Sequence, residues 1–350
     1  MLADWIERGL PCSSATLLTP FPQLRYSGTV PGWIAGQYAR DFGLVDLAGL
    51  AARAGVELVL GRCAAIDPEA NVVTTGTGAR LSFDIASIDT GGVGRARDLL
   101  GDDPSVLDIR PIDAFVERLE ARSEKRRIAV VGGGAGGVEL AFALRNLKDA
   151  VPQPDVIFIT GKEGFLPNFS HSVRGKVNEQ LERQGITVIK EDARIEAGTL
   201  KACDRSHKRL DAIVAALGSA APEWPRASGL ACDERGFLAV DAYQRSTSHA
   251  HIFAVGDVAA RQDRHVPHSG VHAVMAGPAL AANLRASVDG KPIRCSYKPR
   301  KHSLYLMSTG DGAAVASYGP LAAHARWVAR LKHWIDSRWL ARYAALARDL

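Results

Sequence analysis

The sequence predicts an α/β fold of two doubly wound units, one inserted in the other, followed by a small α+β cap at the C-terminus. Three observations predict it. First, the apolar run Ile128, Ala129, Val130, Val131 opens into Gly132, Gly133, Gly134, Ala135, Gly136, Gly137, and then into a helical pattern of Leu140, Ala141, Phe142, Leu144 and Leu147. Second, far downstream, the run Ile252, Phe253, Ala254, Val255 closes on Gly256 and Asp257. Third, two further strand patterns end in turns, Asp84 to Gly92 and Asp211 to Gly218, in an order that fits an outer unit, an inner unit and a return to the outer one. With 350 residues, 47% hydrophobic and 23% charged, the chain is long enough to bury two full cores.

From the N-terminus, Ala3 to Arg8 reads as the last turns of a helix, Gly9 to Pro11 as a stop and Ala15 to Leu18 as a strand. Together they make the second half of a βαβ unit. A first strand with its own glycine turn needs about 15–20 more residues, so the natural product is expected to begin that far upstream. The other reading is a genuinely shortened protein. Next, Pro22, Gly28, Pro31 and Gly32 mark a turn-rich loop just past a strand's carboxyl end, where Tyr26 and Trp33 either wall an aromatic ligand or pack as ordinary core. The expected divisions are 1–111 and 239–295 for the outer unit, 112–238 for the inserted one, and 296–350 for the cap.

In the inserted unit, strand, turn and helix form a Rossmann-like dinucleotide fingerprint. Gly132 permits the tight turn, Gly134 admits a pyrophosphate to the backbone, and Gly137 lets helix and strand pack closely. A second strand, Val156 to Thr160, completes the unit. A carboxylate near its end would take the adenosine ribose diol, but Thr160, Gly161 and Lys162 stand there, with Glu163 just beyond. Lys162 suits a 2′-phosphate and Glu163 suits NADH. The choice stays open, with NADH favoured because the charges form no clear phosphate clamp. Glu139, two residues past the last glycine, has a plain justification as a negative charge in the first turn of a helix.

Asp257 closes a parallel strand at the edge where α/β sheets bind ligands. Beyond it, His265, His268 and His272 crowd the opening of a helix at Ser269, with Asp263 as the nearby carboxylate. That set falls short of a metal site, and none is expected. His268 and Ser269, near a helix N-terminus, suit stabilisation of an anion.

Composition excludes other classes. Cys12, Cys63, Cys203, Cys232 and Cys295 are scattered, with no CxxC or CxxxxC pair, which argues against a redox disulfide or zinc and for reduced thiols in a cytoplasmic setting. No run of about 18 uncharged apolar residues occurs, and Met1 to Leu10 lacks the apolar core of a signal peptide. The net charge of +5 concentrates at the end, where residues 321–350 carry Arg326, Arg330, Lys332, Arg338, Arg342 and Arg348 against Asp336 and Asp349. Trp327, Leu331, Trp334, Ile335, Trp339 and Tyr343 interleave with them. Such a basic amphipathic helix either meets an anionic membrane surface or docks on its own protein. No nucleic-acid motif accompanies the charge, and no nucleic-acid partner is expected.

These motifs carry a resemblance. The segment Thr247 to Asp257 resembles the second flavin motif of two-dinucleotide flavoproteins. The loop Tyr26 to Gln37, the helix opening Ser269 to Pro278 and the tail Trp334, Ile335, Asp336 after Lys332 resemble one branch of FAD-dependent pyridine nucleotide-disulfide oxidoreductases. That branch is related to type II NADH dehydrogenases and is often fused to, or encoded beside, selenophosphate synthetase. The resemblance implies FAD held by Asp257, Gly256, Gly91, Tyr26, Ser27 and Ser269, and NAD(P)H held by Gly132, Gly134, Gly137, Gly218 and Glu163, with Glu139 near the nicotinamide. It implies hydride transfer from the nicotinamide to the flavin and on to a quinone or other small acceptor, without a redox disulfide. The alternatives are a non-catalytic or FAD-deficient NAD(H)-binding homologue with an interaction role, and a reductase for a protein electron carrier. The location implied is cytoplasmic, with peripheral contact at the inner face of a membrane left open; catalytic residues and oligomeric state are not specified by these motifs.

Overall fold

The computed structural model describes residues 1–202, 205–207 and 209–348; Cys203 and Asp349, counted above, lie outside the described residues. At its centre is a five-stranded parallel sheet ordered Thr187–Ile189, Asp155–Ile159, Arg127–Val131, Ala212–Ala215, Val106–Asp108. Both faces are covered, so its middle strands read as continuous apolar runs rather than alternating ones. Alternation still decides which core each side chain enters. Ile128 and Val130 meet Phe142, Val177 and Phe115 from three helices, while Ala129 and Val131 meet Ala96, Leu100 and Leu200 on the opposite face.

Strand pairing and packing tie together segments on both sides of residues 112 and 238. The edge strand Val106–Asp108 pairs with Ala212–Ala215, and Trp224, Leu230 and Leu238 pack with Ile66 and Ile252 of the outer unit. Three-residue strands carry too little period to mark such a boundary in sequence.

The outer unit contains two parallel pairs, Thr16–Thr19 with Glu57–Leu60, and Ala86–Ile88 with Ile252–Ala254. A three-stranded antiparallel sheet spans Cys63–Asp67, Val72–Thr75 and Arg80–Ser82. The helices Leu2–Arg8 and Leu47–Ala54 pack Trp5, Ile6 and Ala51 beside the first pair. In the cap, an antiparallel meander of Tyr305–Ser308, Ala314–Tyr318 and Leu321–Ala325 runs directly into the helix Arg326–Ala347. That helix turns Val328 and Asp336 inward and leaves Trp327 and Trp334 each 57% exposed. The tail is thus docked along one face and open along the other. Among the described residues, no helix is long and apolar enough to cross a membrane.

Candidate active site

The fingerprint turn is shaped by two steric requirements. Gly132 has φ +125°, and a Cβ on it would lie 2.1 Å from the carbonyl oxygen of Ala216. A Cβ on Gly137 would lie 1.8 Å from the carbonyl oxygen of Gly132, so helix Ala135–Arg145 packs on the turn itself. Gly134 and Gly136, by contrast, face open space, with no atom within 4 Å of an added Cβ. A space kept clear before a helix N-terminus suits a pyrophosphate. Downstream, Lys162 and Glu163 are exposed on the turn after Asp155–Ile159, and Lys162 Nζ stands 3.9 Å from Asp192.

The two crossover segments lie side by side. Val93 and Ala220 exchange backbone hydrogen bonds of 3.0 and 2.9 Å, which brings the turns at Gly91 (φ +70°) and Gly218 (φ +79°) together. Nearby, the Ser219 hydroxyl is buried without a hydrogen-bond partner.

At the return strand Ile252–Ala254, Gly256 fits closely against Asp89: a Cβ there would meet the Asp89 carboxylate at 2.4 Å. Asp257 follows, and its Oδ2 accepts a hydrogen bond from Arg110 Nη2 at 2.9 Å. Ser269 is the N-cap of helix Gly270–Val288, yet its hydroxyl is buried and unpartnered. It lines a cavity of about 40 Å³ with Asp257, Gln244, His272 and Tyr297. His268 does not support the anion role expected of it. Its Nε2 lies 3.0 Å from the Ala259 carbonyl oxygen and its ring packs 4.1 Å from Phe237, because the strand end offers that carbonyl as a ready acceptor. His272 is buried, with Nδ1 2.8 Å from the Tyr297 hydroxyl. Among the described residues, no group of three or more His, Cys, Asp or Glu side chains could hold a metal ion.

A second cluster forms where the cap meets the fingerprint helix. Glu139 is the fifth residue of helix Ala135–Arg145, past the first turn, so the dipole justification does not hold for it. Instead its Oε1 accepts a hydrogen bond from the backbone N–H of Ser308 at 3.0 Å. Burial raises its carboxyl above the usual range, against the opposing pull of Lys332 and that N–H. Lys332 donates to Asp336 Oδ2 at 2.9 Å and to the Gly28 carbonyl at 3.1 Å. Burial opposes the charge on Lys332, but Glu139 and Asp336 outweigh it and hold the ammonium above the ordinary lysine range. Tyr26 donates to Asp336 Oδ1 at 3.4 Å and packs 5.0 Å from Trp339. Its phenol is pushed up to about 12, first by burial and then by Asp336. Ser27 is exposed and opens the 3₁₀ turn Ser27–Thr29 beside this cluster. A negative charge developing on a ligand here would meet a fixed ammonium, with a protonatable carboxyl beside it.

A family description, pyridine nucleotide-disulphide oxidoreductase, matches residues 23–277. The chain belongs to that family. It is 29% identical over 296 residues to the demethylphylloquinone reductase NdbB of Synechocystis sp., covering 75% of this chain and 71% of that protein. To ferroptosis suppressor protein 1 of Taeniopygia guttata it is 25% identical over 269 residues, with 72% and 69% covered. Dihydrolipoyl dehydrogenase of Vibrio cholerae aligns at 28% over 179 residues, 49% of this chain and 36% of that enzyme, so the chain spans about a third of that relative's length. The sulfide:quinone oxidoreductase of Aquifex aeolicus shares the fold, with a TM-score of 0.78, 18% identity, and 99% and 89% of the two chains covered.

As a member of the pyridine nucleotide-disulphide oxidoreductase family, the chain is notable for its thiols: Cys12, Cys63, Cys232 and Cys295 are all free. Sequence reasoning placed Lys332 and Asp336 in a resembling tail and missed them as site residues. The available signal was an i,i+4 pair of opposite charges on the same helical face as Val328 and Trp339. Arg110, which donates to Asp257, carries no local pattern that marks it.

Proposed function

We propose that this protein is an FAD-dependent NAD(P)H oxidoreductase whose acceptor is a quinone or another small ring oxidant. The observation that carries this reading is the cluster of half-buried Glu139, Lys332 and Tyr26 around buried Asp336, set against the fingerprint helix. The names of two relatives, demethylphylloquinone reductase and sulfide:quinone oxidoreductase, point to the same acceptor class. The residues present fit both cofactors: open space at Gly134 for a pyrophosphate, and the orphaned hydroxyl of Ser269 beside Asp257 for a flavin. FAD, when bound, accepts two electrons from the nicotinamide and delivers them to the acceptor.

The balance is NAD(P)H, one proton and quinone on one side, NAD(P)⁺ and quinol on the other. One proton must therefore reach the acceptor, from solvent or through a side chain. Burial raises the Glu139 carboxyl, which makes it the candidate group to pass a proton at Oε, and Lys332 offers its ammonium to charge developing on an acceptor oxygen. NADH is the favoured donor, since Lys162 is the basic side chain on the turn Thr160 to Gly164 and leans toward Asp192. The exposed stripe of Trp327, Trp334 and Arg338, with Arg338 5.6 Å over the Trp334 ring, supports peripheral contact with a membrane that holds the quinone. The link to selenophosphate synthetase rests on sequence likeness and adds nothing the cluster needs.

The test is anaerobic: the full chain is loaded with FAD, reduced with NADH, and mixed with a short-chain benzoquinone. Bleaching of the flavin by NADH followed by its recovery with quinone is expected. Absence of FAD uptake favours the non-catalytic NAD(H)-binding homologue, and bleaching without recovery points to a protein electron carrier.

A further inference from the structure

We infer that Asp192 sets the choice of nucleotide: its carboxylate accepts the hydroxyls of the adenosine ribose and turns away a 2′-phosphate. The inference rests on the reading that the fingerprint turn takes NAD(P)H, and deepens it by naming the residue that discriminates. The strand Asp155–Ile159 runs out into Thr160, Gly161 and Lys162, with no carboxylate at its end. Those residues are sewn to the neighbouring strand Thr187–Ile189. Thr160 N–H donates to the Ile189 carbonyl at 2.9 Å, and Gly161 N–H to the Glu191 carbonyl at 3.1 Å. The pairing brings the next residue, Asp192, over Gly161. A Cβ on Gly161 would lie 3.5 Å from Asp192 Oδ1, so the carboxylate faces bare backbone. Gly161 has φ +82°, a left-handed conformation that side chains disfavour, and the space before Asp192 stays clear.

The same turn abuts the fingerprint. A Cβ on Gly133 would lie 2.7 Å from the Thr160 carbonyl oxygen and 2.5 Å from that of Gly164, and Leu166 N–H donates to the Gly133 carbonyl at 2.8 Å. In a dinucleotide fold the adenosine ribose belongs at the end of the second strand, which here is the place that Asp192 overlooks. A carboxylate there accepts hydrogen bonds from ribose hydroxyls, whereas a 2′-phosphate would set two negative groups together. Lys162 is the cation that would favour such a phosphate, but its Nζ stands 3.9 Å from Asp192 Oδ2, which offsets its charge. Glu163, the carboxylate expected from sequence, is the third residue of the turn that Gly164 N–H closes on the Gly161 carbonyl at 3.0 Å, and it is exposed at the tip. The Asp192 side chain is 71% exposed and so open to a ligand.

The test measures the affinity of the full chain for NADH and for NADPH by nicotinamide fluorescence, apart from turnover. The wild type is expected to bind NADH about tenfold or more tightly than NADPH. Asp192→Asn, an isosteric change at an exposed site, is expected to weaken NADH about tenfold while NADPH keeps its affinity or gains. In Asp192→Asn/Lys162→Met the NADH loss should persist, which separates the ribose contact from the freed ammonium; NADH affinity restored in that double variant overturns the assignment. NADH affinity within about twofold of wild type in Asp192→Asn also overturns it. So does equal weakening of both nucleotides, the mark of a prop for the turn, and so does a larger NADH loss in Glu163→Gln than in Asp192→Asn. Wild-type protein that binds neither nucleotide overturns the proposed function and this assignment together; tighter binding of NADPH than of NADH overturns this one alone.

Discussion

Ser308 donates its backbone N–H to Glu139 at 3.0 Å, so the last residue of the first cap strand ends on the carboxylate of the fingerprint helix. The two residues are 169 positions apart in sequence. This bond ties the protonatable group of the site to the cap, and an amide in place of the carboxylate would preserve it. Glu139→Gln is therefore expected to fold normally and to bleach FAD with NADH at the wild-type rate. Reoxidation by quinone should slow by about 10²-fold, the usual cost of losing a general acid. Stopped-flow absorbance separates the two half-reactions; equal reoxidation rates would remove Glu139 from proton supply.

Lys332 and Asp336 form a pair whose side chains are 12% and 6% exposed. Breaking a buried pair from one side strands the remaining charge, at a cost of about 3 kcal/mol. Lys332→Met should lower unfolding stability by that order in chemical denaturation, and Lys332→Met/Asp336→Leu should regain most of it. A double variant as unstable as the single would show that packing, not the stranded charge, is responsible.

Within the fingerprint, two glycines should respond oppositely. Gly134→Val projects into open space, so the chain is expected to keep its melting temperature and lose NADH binding by calorimetry. Gly137→Ala drives a methyl into the Gly132 carbonyl and should unfold the helix junction whether or not nucleotide is present. Full NADH affinity in Gly134→Val would contradict the placement of the pyrophosphate.

Tyr26 supplies a pH prediction. Its phenol sits near 12 when folded against an ordinary value of about 10, so the folded state favours the neutral form. The stabilisation is fully present below about pH 10 and is lost as pH rises through 12, by roughly 2 kcal/mol given partial exposure. Burial raises Tyr38 and Tyr297 as well, so ultraviolet titration should show several late tyrosines, of which the one near 12 is absent in Tyr26→Phe. The variant should also become the more stable protein at the alkaline end.

The open face of helix Arg326–Ala347 should bind anionic vesicles at low salt and release as ionic strength rises. Trp327→Ser/Trp334→Ser should weaken sedimentation without loss of stability, since both rings face solvent. Trp339→Ala should instead destabilise the fold, because that ring packs on Tyr26 and on Tyr343. Vesicle binding that survives the double serine variant would rule out this face.

The tail shows why a sequence pattern can be read two ways. Tryptophans at Trp327, Trp334 and Trp339 satisfy either a membrane stripe or a core stripe, and the helix divides them, with Trp339 packed inward and the other two outside. The histidines near Ser269 show a related limit. His265, His268 and His272 crowd one helix opening in the sequence, but His268 and His272 meet different partners, Ala259 and Tyr297.

What the sequence determined by itself is local: the turn at Gly132 to Gly137, the strand on each side of its helix, the return strand ending at Asp257, and the order of the two units. A glycine turn is fixed by sterics among residues within a few positions of one another, so its spacing can be read directly. What only the tertiary structure decided is which charges are buried and with whom. Lys332 and Asp336 look in sequence like any solvated i,i+4 pair, and become a site because Gly28 and Tyr26 arrive from the other end of the chain. Arg110 and Asp257 stand 147 positions apart and acquire meaning only from their 2.9 Å contact. A buried charge is tolerated only when folding delivers its partner, and nothing in the neighbouring residues records where that partner comes from.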